Sequence, residues 1–355
     1  MIAPLDWGLG HATRCIPIIR EFRKRDCTVM IATSGGALQL LKIEFPELAF
    51  FEIASYRAKY ATNNRLLIKL FFQSFKFISA IRKEHAQLRQ ILKDNNIDLI
   101  VSDNRFGCYS MEVKSIFVTH QINFILQTPF KWASKLFSSW NQQQIKKFDT
   151  CWIPDFPNQE YTGKLSSPHE LSISYVGVLS RFQKSTCAIE KKYDVVALIS
   201  GPEPQRTIFE ESIRKQVEGL ALKVLLVKGK PEEGGSISNR GNVSEVGHLR
   251  ELELQHAIEE SEFVLCRSGY SSIMDLAVLE RKNIIMVPTP GQPEQEYLAA
   301  LLDSKGRAFT VAQENFDLIQ AMKKAIDYLG FTSGVFNNDL LKAAIDEALL
   351  DIKWK

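Results

Sequence analysis

Gly8-Leu9-Gly10-His11-Ala12-Thr13-Arg14 puts two glycines, a histidine and an arginine within seven residues, behind a short apolar start. Glycines let backbone N–H groups come close to a ligand, and a helix that follows offers its positive end to an anion. A histidine at that point can act as a general base near neutral pH. The combination describes a phosphorylated substrate meeting proton chemistry. Four more glycine-bearing polar loops recur later in the chain. Cys266-Arg267-Ser268-Gly269-Tyr270-Ser271-Ser272 lies between a strand signal and a helix signal. It reads either as a diphosphate cradle or as a serine-capped helix with nothing bound. Pro288 to Glu296 (PTPGQPEQE) stands at the next strand-to-helix junction, where Gln292, Glu294 and Gln295 suit polyhydroxyl groups by donating and accepting at fixed geometry. Ser200 to Arg206, with Gly201, and Val246-Gly247-His248-Leu249 are the remaining two.

The elements that must position these loops alternate between helix and strand, which predicts an α/β fold with parallel sheets. In the first half the strand signals are Cys27 to Thr33, Asp98 to Ser102 and Ile116 to Thr119. Polar clusters follow two of them, Asp103-Asn104-Arg105 and His120-Gln121. Ligands of open α/β sheets bind beyond the carboxyl ends of the strands. Asp103, Arg105 and His120 are therefore expected to face the same cleft as His11, with Asp103 orienting a base or binding acceptor hydroxyls. Arg14 faces an anion or neutralises the surface of the first helix. Pro154, Pro157, Gly163, Pro168 and Gly177 suggest a linker, after which strands at 194–200, 222–227, 263–266 and 283–287 alternate with helices. The expected division is a Rossmann-like domain over 1–160, a linker over 161–190, a second Rossmann-like domain over 191–335, and a C-terminal helix over 336–355 that crosses back to the first domain or does not. The first strand signal is unusually short, because the chain begins only five residues before Asp6.

At 355 residues the chain is long enough for two cores, and 45% hydrophobic with 24% charged residues is globular composition. The six cysteines show no C-x-x-C pair or metal spacing, the reading expected for thiols in a reducing compartment. Neither a signal peptide nor an apolar run of spanning length is visible, so a cytoplasmic protein is expected. Net charge is +3 overall, yet Arg57 to Lys93 holds nine basic residues against Glu84 alone, a local +8 that leaves −5 for the remainder. Interleaved with phenylalanines and leucines, that stretch reads either as a domain helix with solvated lysines or as a contact with an anionic membrane surface. No nucleic-acid partner is expected. Of the six histidines, His85, His169 and His256 read as solvated, and His248 as a support for a base pocket or a bystander to its neighbours' backbone. Phe130, Trp132 and Trp140 read as a stacking platform for a ligand or as ordinary packing. A P-loop is absent, and Thr13 stands where a dinucleotide fingerprint needs its third glycine.

The order Gly-Leu-Gly-His, two α/β halves, Arg-Ser-Gly-x-Ser-Ser and Pro-x-Pro-Gly-x-x-Glu-Gln resembles the GT-B glycosyltransferases. Within them it is similar to the peptidoglycan N-acetylglucosaminyltransferase-like enzymes. The resemblance implies two Rossmann-like domains facing across a cleft, a UDP-sugar donor on the second and a glycan or lipid-linked acceptor on the first. Gly10 would line the donor side of the first loop, and Gly201 the corresponding loop of the second half. Gly247 to Leu249 would border the base through backbone contacts. Arg267, Ser268, Gly269, Ser271 and Ser272 would hold the diphosphate. Asp275 stands where relatives commonly carry a glutamate for the ribose. Gln292, Glu294 and Gln295 would take the sugar, His11 would activate the acceptor with help from Asp103, and Arg105 and His120 would lie on the acceptor side. No Asp-x-Asp pair occurs, so neither a metal nor another cofactor is expected, and a helix N-terminus would stabilise the leaving diphosphate instead. Two other activities are compatible with the same residues. One is nucleotide-sugar hydrolysis, as in the hydrolases of nonulosonic acid synthesis that Gly-x-Gly-His with Arg14-Cys15 also resembles. The other is binding of a sugar nucleotide without turnover.

Overall fold

The computed structural model describes residues 1–56, 66–126, 131–167, 170–185, 189–230, 233–331, 338–350 and 352, and the side chains of 66–76 are not described. Arg57, Lys59, Arg65, Phe130, His169 and the side chains of Lys69 and Lys76 therefore lie outside the described residues. The chain divides into two units, Met1–Ser180 with Asn337–Lys355, and Arg181–Phe336.

The first unit is a seven-stranded parallel sheet of β1 (Ile2–Pro4), β2 (Met30–Thr33), β3 (Ala49–Glu52), β4 (Leu99–Asp103), β5 (Lys114–Val118), β6 (Thr150–Ile153) and β7 (Ile173–Tyr175). Their order is β3-β2-β1-β4-β5-β6-β7. The helices α1 (Gly10–Arg23), α2 (Gly35–Glu44), α3 (Leu66–Asp94) and α4 (Lys131–Ile145) connect them. Near-continuous apolar strands such as Leu99-Ile100-Val101 are what a parallel sheet covered on both faces requires. One face packs Ile2, Ile31, Val101, Val118 and Trp152 against Ile16 and Ile19 of α1. The helix Asp339–Leu350 packs there too, through fully buried Leu341 and Ile345. Burying each of those two contributes about 1.5–3 kcal/mol. β1 is three residues long but sits at the centre, paired with β2 and β4.

Residues 161–180, expected as linker, are part of this unit. Gly163, with φ +51°, turns the chain ahead of β7, and that turn is held by Asp155. Its carboxylate accepts the backbone N–H of Tyr161 at 3.1 Å and of Thr162 at 2.7 Å. A three-residue edge strand among turn residues carries too little pattern to be seen in the sequence.

The second unit contains β8 (Tyr193–Leu198), β9 (Val224–Val227), β10 (Ser238–Arg240), β11 (Val243–Val246), β12 (Ser261–Cys266), β13 (Ile284–Met286) and β14 (Phe309–Thr310), in the order β10-β11-β9-β8-β12-β13-β14. Only the β10–β11 pair is antiparallel. α5 (Gln205–Val217), α6 (Glu251–Glu259), α7 (Tyr270–Val278), α8 (Pro293–Ser304) and α9 (Leu318–Ala325) belong to it, and Asp339–Leu350 of the first unit is α10. In both sheets the strand order reverses beside the first strand, between β1 and β4 and between β8 and β12. Such switch points open a crevice at the carboxyl ends of the strands.

Candidate active site

At the switch point of the first unit, Gly8 turns the chain from β1 into α1. Its φ of +79° is a backbone conformation that side-chain-bearing residues adopt only with strain. His11 follows in the first turn of α1, with its side chain 16% exposed. Its Nδ1 lies 3.0 Å from Oδ1 of Asp103, the last residue of β4, which is wholly buried. Arg14, one turn further along α1 and also buried, donates from Nε to Asp103 Oδ2 at 2.6 Å and from Nη2 to Oδ1. The same guanidinium reaches His120 Nδ1 at 3.0 Å and His11 Nδ1 at 2.8 Å. The expected convergence of His11, Asp103 and His120 is therefore present, and Arg14 sits among them. It neither neutralises the helix surface nor extends toward solvent.

These contacts set the charge states. Burial alone would raise Asp103, but Arg14 and His11 more than offset it and hold the carboxyl well below the usual carboxylate range. Burial first, then the Arg14 cation, lowers His11 from the ordinary 6.5, with Asp103 opposing both. Nδ1 faces two groups that ask for opposite tautomers, because Asp103 Oδ1 can only accept from it and Arg14 Nη2 can only donate to it. In the tautomer whose Nδ1 hydrogen goes to Asp103, the lone pair of the neutral imidazole is on Nε2, the arrangement of a general base with an orienting carboxylate.

Arg105, expected to meet an acceptor, has its guanidinium spent inside the first unit instead. It is fully buried and donates to Pro4 O at 2.7 Å, Glu84 Oε1 at 2.7 Å, Ala54 O at 2.8 Å and Ser34 Oγ at 2.9 Å. Glu84, the one acid in the basic stretch, is its buried counter-ion, and also accepts from Tyr56 and from the Gly107 N–H. Removing either partner would strand a buried charge. The pair is structural. Beside it, a cavity of about 860 Å³ is lined by Asp6, Ser34, Glu52, Lys83 and Gln87. His85 departs from expectation as well, stacking on Tyr109 with ring centroids 4.5 Å apart.

In the second unit the four loops expected from sequence do follow strands, but several of their side chains turn inward. Arg267 is fully buried over the Phe209 ring at 4.0 Å. It donates to Val287 O at 3.0 Å, Gln205 O at 3.0 Å and Gln313 Oε1 at 2.7 Å. Burial pushes it down to about 10. Ser268, also buried, donates its hydroxyl to Gln295 O at 2.8 Å. Gln295 in turn accepts the Thr289 N–H at 2.9 Å and pairs with Gln292. Arg267, Ser268, Gln292 and Gln295, expected on the donor, thus brace the loops against one another. A sequence cannot distinguish such bracing from ligand contact, since both need polar groups at a strand end.

Beyond the brace lie the residues able to meet a ligand. Gly269 caps α7, a Cβ there would meet nothing within 4 Å, and Ser271 and Ser272 are half-buried on the first turn. First-turn N–H groups lack intrahelical acceptors and favour anions. Asp275 lies one turn on and Glu294 opens α8, both half-buried. Thr289, in the Pro288–Glu296 loop, carries no mark in the sequence that sets it apart. Its hydroxyl is buried and has no hydrogen-bond partner, and a Cβ on Gly201 would lie 3.3 Å from it. Leaving such a group unsatisfied costs about 1–3 kcal/mol. At the end of β11, the Gly247 carbonyl accepts from Lys230 N–H at 2.8 Å and the His248 N–H donates to Gly234 O at 3.0 Å. The backbone contacts expected for a base at Gly247 and His248 are thus partly used by the preceding loop. His248, lowered by burial and by Arg181, lines a cavity of about 480 Å³ with Gly234, Gly235, Ser236, Arg250 and Glu253. Among the described residues no three His, Cys, Asp or Glu side chains converge as a metal site.

Residues 210–330 match the family model described as the glycosyltransferase family 28 C-terminal domain. No curated protein matches the chain. Solved structures do. The glycotransferase of kitacinnamycin superposes with a TM-score of 0.63 at 14% identity, covering 98% of this chain and 93% of that one. CalG4, the calicheamicin glycosyltransferase, gives 0.63 at 11% identity over 98% and 94%. MurG of Acinetobacter baumannii gives 0.59 at 11% identity over 98% of both chains. The fold is GT-B, as the sequence resemblance implied.

Proposed function

We propose that this chain, which has the GT-B fold and whose residues 210–330 match the glycosyltransferase family 28 C-terminal domain, transfers a sugar from a UDP-sugar to a hydroxyl of a glycan or lipid-linked acceptor. His11 Nε2 takes the proton of the acceptor hydroxyl while its oxygen attacks the anomeric carbon. The bond from that carbon to the diphosphate breaks, and its electron pair leaves on the diphosphate oxygen. One displacement of this kind inverts the anomeric centre. The N-terminus of α7 at Gly269, Ser271 and Ser272 receives the developing negative charge without a metal. The observation that carries the reading is His11 Nδ1 at 3.0 Å from the buried Asp103 carboxylate. The cavity of Asp6, Glu52 and Lys83, polar and beside the His11 loop, suits a hydroxylated acceptor.

In this reading the protein is cytoplasmic and touches the inner face of the plasma membrane. α4 exposes Trp132 at 63%, Leu136 at 64% and Phe137 at 41%, and its sequence contains Lys131 and Lys135 but no acid. With the basic 57–93 stretch, that is the pairing of apolar and cationic groups an anionic bilayer attracts. No helix among the described residues is long and apolar enough to cross a membrane. Co-sedimentation with phosphatidylglycerol vesicles, but not phosphatidylcholine ones, and its loss in Trp132→Ser/Leu136→Ser, tests this part.

The activity test is UDP release from UDP-sugars with glycan and lipid-linked acceptors. Release that depends on an acceptor and is lost in His11→Ala supports the transferase. Equal release without acceptor makes water the acceptor and the chain a hydrolase. Thermal stabilisation by UDP with no release leaves only a binder.

A further inference from the structure

We propose that Arg14 is a positioning residue for His11: its guanidinium grips both oxygens of Asp103 and closes the carboxylate into an ion pair, leaving the imidazole unprotonated with Nε2 outward. This rests on the reading of His11 as the acceptor base. In a histidine–carboxylate pair standing alone, the carboxylate stabilises the protonated ring and holds the proton on it. Here the groups facing His11 are Arg14 on α1, Asp103 at the end of β4, and His120 after β5, while the Cys15 thiol donates to Asp103. Arg14 meets Asp103 through two parallel N–H bonds, the geometry a guanidinium fork makes with a carboxylate. Being three residues after His11, it lies on the same helix face, and its Nη2 comes within 2.8 Å of His11 Nδ1.

The charges follow. Arg14 and Asp103 cancel, so a proton added to His11 would place an uncompensated cation beside a guanidinium. The Asp103 oxygen that orients the ring stays available to the Nδ1 hydrogen, while its charge is already matched. Asp103 supplies direction and Arg14 removes the proton-holding charge. A lysine could supply the charge but not the fork.

The test is an NMR titration of the whole chain labelled with carbon-13 at histidine Cε1, with the His11 signal identified by its loss in His11→Gln. In the wild-type protein the His11 midpoint is expected below that of free imidazole. In Arg14→Gln it is expected to rise by at least about one pH unit, whereas Arg14→Lys keeps it low. Should Arg14→Gln fail to fold, Asp103→Asn is compared with Asp103→Asn/Arg14→Gln, which strands no buried carboxylate, and the same rise on loss of Arg14 is expected. A midpoint that does not move on loss of Arg14, or a wild-type midpoint above that of free imidazole, overturns the proposal. The titration needs no substrate. A chain that releases no UDP therefore defeats the transferase reading alone, and an unmoved midpoint in an active chain defeats only the role given to Arg14.

Discussion

Both sheets reverse their strand order beside the first strand, but the two units use that switch point differently. Beside β1 and β4 the polar side chains meet one another: His11, Arg14, Asp103 and His120 form one partly buried cluster with a ring nitrogen left over for chemistry. Beside β8 and β12 Arg267 and Ser268 turn inward, and what remains is a helix N-terminus with the Ser271 and Ser272 hydroxyls and the half-buried carboxylates of Asp275 and Glu294. The first arrangement suits moving a proton, which needs a titratable group at a defined place. The second suits receiving a diphosphate, which needs many weak donors and a fixed dipole. One fold edge serves both because the strands set only where a residue stands, while packing decides whether its side chain meets the ligand or the loop beside it.

The sharpest break in that comparison is His11→Ala. It is expected to lower acceptor-dependent UDP release by about 10²–10⁴-fold with little change in unfolding temperature, as for loss of a general base. Its counterpart in the second unit is Arg267→Met, which is expected to cost roughly 3 kcal/mol in urea unfolding because buried acceptors at Val287, Gln205 and Gln313 lose their donor. The fraction that remains folded should keep its turnover. Were Arg267→Met to raise the KM for a UDP-sugar without loss of stability, Arg267 would be a ligand contact after all. Gly247→Ala should cost about 2 kcal/mol, since its Cβ would stand 2.6 Å from Glu233 Cβ and 2.8 Å from the Gly234 and Lys230 carbonyl oxygens.

Two smaller effects separate the units further. Because His11 is lowered from 6.5 in the folded chain, the unfolded chain binds the extra proton. Its contribution is therefore fully present above pH 6.5 and is lost as pH falls below it. The Asp103 contribution, also from a lowered group, persists until pH falls below the ordinary 3.8. Calorimetry between pH 8 and 5 should show a decline of about a degree or two in Tm that His11→Gln removes. Smallest of all, Ser271→Ala and Ser272→Ala should each raise the KM for a UDP-sugar a few-fold, about 0.5–1 kcal/mol per lost hydrogen bond, leaving stability within error.

Much of the fold was legible because parallel strands buried on both faces leave apolar runs too dense to miss, as at Val195 to Leu198 and Phe263 to Cys266. What escaped was short: β3, β6 and β11 span four residues each, β7 and β10 three, and β14 two. In the site, His11, Asp103 and His120 were readable from their places at strand ends. Arg105 was not, because nothing in Asp103-Asn104-Arg105 says that Arg105 turns back to Glu84, 21 residues earlier. Thr289 was hidden for the opposite reason, since an orphaned hydroxyl is defined only by the partners it lacks.

The sequence by itself determined the α/β alternation, the positions of the loops, and the presence of a histidine and a carboxylate at matching strand ends. Those follow from periodicity and local chemistry, which are written residue by residue. Only the tertiary structure decided that Arg14 joins His11 and Asp103 while Arg105 and Arg267 are spent inside the fold. All three are arginines beside glycine-bearing or polar loops, and locally they look alike. Where each guanidinium finds its acceptors depends on elements 20 to about 100 residues away, and a charge that is costly to bury goes where the packed chain can match it.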